Sequence, residues 1–163
     1  MSKITTNEDF RESLSSLTLA QQRVVSAGFI ANVLDLTQDS RIKWAQDELR
    51  NSDISAKDLD EAYHSAHSVY VHTSPRSHFS LLDYDKQAEH FVAEACMHAL
   101  APTYFEITKY HLAEKVSMCC LMARTCASID HEGNYPKFTD TEDLVKKEVD
   151  AQYEILSKYL ESI

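Results

Sequence analysis

Glu94 and His98 stand four residues apart in a stretch that reads as helix. Side chains at i and i+4 share a helix face, so a carboxylate and an imidazole can meet there. The carboxylate favours the protonated ring, and the pair is equipped for general acid–base work. It also closes a histidine-rich region, because six of the eight histidines lie between His64 and His98. Imidazole is the commonest metal ligand, so this grouping raises a metal- or small-molecule-binding bundle as one reading. Glu61 and His64 add the Glu-x-x-His spacing used by di-iron helical bundles, but those sites need a second such motif and the chain has none. On a helical wheel Glu61 and His64 turn away from Leu59, Tyr63 and Ala66, and they are expected at the surface. The Glu94–His98 pair flanks an apolar stripe and is expected half buried, as a polar contact between helices.

Two further polar residues stand where apolar ones are expected. Arg124 is the one charge between Val116 and Ile129. A buried guanidinium must reach water or a carboxylate, because burying it unpaired is costly. Gln152 sits in the middle of the last apolar stripe and needs hydrogen-bond partners on the same grounds. Arg124 and Gln152, with Glu148, are expected in a polar cluster inside the bundle. Together with Glu94 and His98 they are the candidate site, and register-fixing is its expected role.

The cysteines Cys96, Cys119, Cys120 and Cys126 form no C-x-x-C pair, which removes zinc-ribbon and thioredoxin readings. Cys119 and Cys126 would lie about 10 Å apart along a helix, too far for a disulfide, and adjacent cysteines rarely close one without strain. All four are read as small packing residues. Gly28 and Gly133 are too far apart for a phosphate loop, and neither H-E-x-x-H nor G-x-S-x-G occurs. The sequence assigns no catalytic residue, no metal ligand and no cofactor.

The elements that must carry these residues are helices. Two glycines and three prolines in 163 residues compare with roughly eleven and eight on average usage. Strand turns rely on those residues, whereas long helices do not. Thr18 with Gln21 has capping-box spacing ahead of a helix running to about Leu36, and a shorter helix precedes it from about Asn7. Asp39 or Ser40 can cap a third, and Ser55 with Asp58 a fourth. Another runs from Asp83 to about Ala101. After Pro102, with Thr103 and Glu106 at capping spacing, a helix reaches about Ile129. Its second half is apolar or small nearly all round, so it is expected to be central and surrounded. Thr139 with Glu142 opens the last helix, with Val145, Val149, Leu156, Leu160 and Ile163 inward. Loops are expected at Thr73 to Ser80 and at Asp130 to Phe138. The fold class is all-α, an irregular bundle of six to seven helices forming a single domain over residues 1–163.

The net charge is −10, spread along the chain. Without concentrated positive charge, nucleic acid and anionic membrane are excluded as main partners. Free buried cysteines and a polar segment from Met1 to Phe10 make the cytoplasm the expected location.

The last helix has a recognisable spacing. Val145, Glu148, Asp150, Gln152, Glu154 and Ile155 follow a V-x-x-E-x-D-x-Q-x-E-I pattern. It resembles that of the bacterial domain-of-unknown-function family 416, the YjaG-like proteins. Leu14, Leu17 and Gln21 resemble its L-x-x-L opening and glutamine. Where the family favours a tryptophan, a Glu-Arg pair and a proline, this chain has Ala20, Ala31-Asn32 and Asp35. The resemblance implies an all-helical cytosolic bacterial protein and implies no activity.

The function expected from these residues is contact with another protein, either a second copy or a different partner, rather than catalysis. Trp44, Tyr63, Tyr153 and Tyr159 are the aromatics offered for it. One alternative is a metal- or small-molecule-binding bundle using the His64–His98 region. Another is an immunity-type protein that neutralises a basic toxin.

Overall fold

Side-chain caps set the helix starts. In the computed structural model Thr6 Oγ1 accepts from the Asp9 amide at 3.1 Å and opens α1 (Asn7–Ser16). Thr18 and Gln21 form the reciprocal capping box, at 3.3 and 2.9 Å, that opens α2 (Leu19–Val33). Asp39, Ser55 and Asp83 cap α3 (Ser40–Leu49), α4 (Ala56–His72) and α5 (Tyr84–Ala99). α6 (Glu106–Ser128) and α7 (Thr141–Ser162) complete the bundle. The structure describes residues 3–74, 83–102, 106–129, 137–138 and 140–163, with the side chains of 106–110 excepted. The expected caps at Thr103 and Thr139 lie outside the described residues, as does most of both expected loops.

The chain is all-α, as its glycine-poor composition implies. α2, α5 and α6 form the centre: α6 packs on α5, α2, α7 and α1, while α4 covers α5 and α3 covers α4. Phe29, Ile30 and Val33 of α2 are fully buried, with Ile42 of α3, Val69 of α4 and Leu156 of α7. Each such side chain contributes about 1.5–3 kcal/mol relative to exposure. Alanines at 62, 66, 93, 95, 99, 113 and 123 bring α4, α5 and α6 close together.

Four details differ from the sequence reading. α2 stops at Val33 and the chain continues to Leu36 as a single 3-10 turn. α6 is broken at His111, whose φ of −137° and ψ of 17° lie outside helical values. α6 is central but not surrounded. Its neighbours leave one stripe open, where Met118 and Met122 are 59% and 46% exposed. In α7 the buried line is Glu148, Gln152 and Leu156; Val145, Val149 and Leu160 flank it, and Ile163 is 65% exposed. The reason is the facing helix, because α6 turns polar groups towards α7 and the helix rotates to answer them.

Candidate functional site

The five candidate residues fall into two groups on different faces of α6. Ser117, Cys120 and Arg124 recur at three- and four-residue steps and face α7 and α2. Cys119 lies about 100° round the helix from Cys120 and faces α5.

The first group is a closed network. Arg124 Nε donates to Glu148 Oε2 at 3.4 Å, and its Nη2 donates to the Asn32 carbonyl at 2.8 Å. The same guanidinium reaches Asp35 at 3.2 Å. Asn32 Nδ2 donates to Glu148 Oε2 at 2.7 Å, and Gln152 Nε2 lies 3.5 Å from Glu148 Oε1. Ser117 and Gln152 hold each other by two further bonds. Burial pushes the Glu148 carboxyl above its ordinary value, against the opposing pull of Arg124, Asn32 and Gln152. Among the described residues Ser26 Oγ is the buried side-chain polar atom without a hydrogen-bond partner, so this network has no orphan to offer a ligand. Arg124, Glu148 and Gln152 thus converge as expected, and their geometry fits fixing the register of α2, α6 and α7.

Glu94 and His98 do not join them. His98 Nε2 lies 3.5 Å from Glu94 Oε1, with the side chains 23% and 25% exposed, the half burial that the wheel predicts. Across the interface α6 supplies Cys119. One donor atom from each of Glu94, His98 and Cys119 lies within 4.8 Å of the other two. The hydrogen bond to His98 holds the Glu94 carboxyl below its usual range. Burial, with Glu94 adding to it, pushes the Cys119 thiol up to about 12, so without a cation it is protonated. Lys115, one turn before Cys119 on α6, acts electrostatically on both Glu94 and Cys119.

One turn away on α5, His90 stacks on Tyr70 with ring centroids 4.4 Å apart. The Thr73 hydroxyl donates to the Val69 carbonyl at 2.8 Å, and its oxygen lies 3.0 Å from His90 Nδ1. Burial lowers the His90 pKa below its usual value, against the opposing pull of Glu94.

Glu61 and His64 are at the surface as expected, beside Lys57 and Asp60. His78 lies outside the described residues. Sequence reasoning missed Cys119, Ser117 and Asn32. Cys119 is buried, as expected of a packing residue. The signal overlooked was its helical phase, which matches that of Lys115 rather than that of Cys120. No family model, no curated protein and no solved structure matches the chain.

Proposed function

We propose that this protein is a helical bundle that binds a divalent transition-metal cation of the zinc class through Glu94, His98 and Cys119. The observation that carries this reading is the approach of one oxygen, one nitrogen and one sulfur donor to within 4.8 Å of one another across α5 and α6. Zinc takes carboxylate, imidazole and thiolate ligands together, whereas magnesium and calcium prefer oxygen alone. The cation would displace the Cys119 proton, as thiol ligation requires. The network around Glu148 is no rival, because the Arg124 guanidinium already occupies it.

Untagged protein, dialysed against zinc and then against metal-free buffer, is expected to retain one zinc per chain and to melt higher than the apo form. A cation at about 100 times its dissociation constant adds about 2.7 kcal/mol. Cys119→Ser and His98→Gln are each expected to lose the metal. Retention of no zinc, with a melting temperature indifferent to zinc, cobalt and nickel, overturns the reading.

Contact with a second copy of the chain is a further proposal, favoured by the open Met118–Met122 stripe on α6. Methionine-rich surfaces adapt readily to partners, and a helical stripe can meet its own copy about a two-fold axis. Sedimentation of a dimer that becomes monomeric in Met118→Lys/Met122→Lys supports it; a monomeric wild-type chain overturns it. Kinship with family 416 is likewise our proposal, supported by the α7 spacing from Val145 to Ile155. So is a cytoplasmic location, which the four free, buried cysteines support. Among the described residues no helix is long and apolar enough to cross a membrane.

A further inference from the structure

Resting on the metal-binding reading above, we infer that the cation held by Glu94, His98 and Cys119 keeps an exchangeable coordination position that takes a small monoanion, with Lys115 as its second contact. Structural zinc sites are closed by four protein ligands, while sites that bind an external ligand use three and leave a position to water or substrate. The described residues bring three donors together here. Both α5 donors are partly exposed, so solvent reaches the cluster.

Charge identifies the class of ligand. A divalent cation with the Glu94 carboxylate and the Cys119 thiolate sums to zero. His98 ligates as a neutral ring, and burial lowers the pKa of His90 two turns before it. Among the described residues Lys115 then contributes one positive charge that this sum leaves uncompensated. It stands one turn from Cys119 and acts electrostatically on both Glu94 and Cys119. A monoanion bound between the cation and the Lys115 ammonium neutralises the site, and a long, flexible lysine stem can follow ligands of different size.

The test uses cobalt(II) as the bound cation and azide as the anion. Cobalt is expected to bind with a thiolate charge-transfer band that Cys119→Ser abolishes. Azide is then expected to shift the visible bands saturably. Lys115→Met should weaken azide binding by roughly tenfold, the fold-change of a charge-assisted hydrogen bond, with cobalt uptake retained. Lys115→Arg should restore most of the affinity, and circular dichroism establishes that each variant is folded. Failure of the wild-type chain to bind cobalt sinks the metal reading itself. Cobalt binding with a spectrum insensitive to azide overturns the open position alone. An azide affinity unchanged in Lys115→Met overturns the role of Lys115.

Discussion

Ser117 and Gln152 hold α6 to α7 in both directions. The Ser117 hydroxyl donates to Gln152 Oε1 at 2.6 Å, and Gln152 Nε2 donates back to the Ser117 carbonyl at 3.2 Å. Both residues are buried, so neither bond has water as a ready substitute. Gln152→Ala is therefore expected to destabilise the fold by about 1–3 kcal/mol, the penalty of stranding buried partners together with a cavity. Ser117→Ala leaves the Gln152 oxygen unpaired and should lie at the lower end of that range. Urea denaturation of both single variants and the double variant measures the pair. Strict additivity of the two effects would contradict a direct coupling.

Arg124 and Glu148 make the sharper case. Glu148 is buried while Arg124 keeps partial access to water. Arg124→Met strands a buried carboxylate and is expected to cost about 3 kcal/mol or more. Glu148→Gln removes the charge but can still accept from Asn32, so it should cost less. The double variant Arg124→Met/Glu148→Gln should be more stable than Arg124→Met alone. A double variant no better than Arg124→Met would show that Glu148 is not what the guanidinium supports.

The same carboxyl gives a pH signature. Its folded pKa is raised, chiefly by burial. Between the ordinary carboxyl value and that raised value the folded chain holds a proton that the unfolded chain has lost. The Glu148 contribution to stability is therefore full below the ordinary value and is lost as pH rises through the folded one. Glu94 works in the opposite sense. Its pKa is lowered by the bond to His98, so its contribution is present above the ordinary value and is lost as pH falls through the folded one. Stability measured from about pH 4 to about pH 7 should show the advantage of wild type over Glu148→Gln shrinking as pH rises. An advantage that grows with pH would have the wrong sign.

Much of this was legible in the residues. Thr18, Ser55 and Asp58 announce their helices because capping is local, and the structure realises each. Arg124 and Gln152 announce a polar cluster because a buried polar group must be satisfied somewhere. The partner was less legible. Asn32 and Ser117 look unremarkable in sequence, and only the packing of α2 and α7 on α6 makes them essential. The wheel placed Val145 and Ile163 inward in α7 by hydrophobicity alone. It could not register how far the polar groups of α6 turn α7 onto Glu148 and Gln152, which leaves Val145 at the flank and Ile163 exposed. Cys119 failed as a site candidate for a similar reason. A cysteine in an apolar run reads as packing until α5 sets Glu94 and His98 beside it.

Gly28 tests how closely α2 and α7 approach. A Cβ at that position would stand 2.8 Å from Cγ2 of Ile155. Alanine gains about 0.8–1 kcal/mol of helix propensity over glycine. Overpacking costs about 1–3 kcal/mol, so Gly28→Ala should destabilise on balance. Ile155→Leu removes the β-branch that clashes, and in that background Gly28→Ala should become neutral or stabilising. The sign of the Gly28→Ala effect in the two backgrounds, read from urea midpoints, decides the matter. A stabilising Gly28→Ala in the wild-type background would place the two helices further apart than described.

The thiols offer a probe that needs no substitution. Burial pushes Cys96 and Cys119 to about 12, raises Cys120 well above its ordinary value, and also raises Cys126. Alkylation proceeds through the thiolate, and at neutral pH that form is scarce at all four positions. Apo protein treated with iodoacetamide at about pH 7 should therefore remain unmodified while folded and take up four labels after unfolding. Cys119 differs from Cys96 and Cys120 in lying beside partly exposed Glu94 and His98. As pH is raised it should react ahead of Cys96 and Cys120, and zinc should protect it selectively if the two α5 residues share a cation with it. Peptide mapping by mass spectrometry separates the Cys119–Cys120 pair from Cys96 and Cys126. Rapid labelling of Cys96 or Cys120 in the folded chain would mean that the α5–α6 interface opens far more readily than its packing allows.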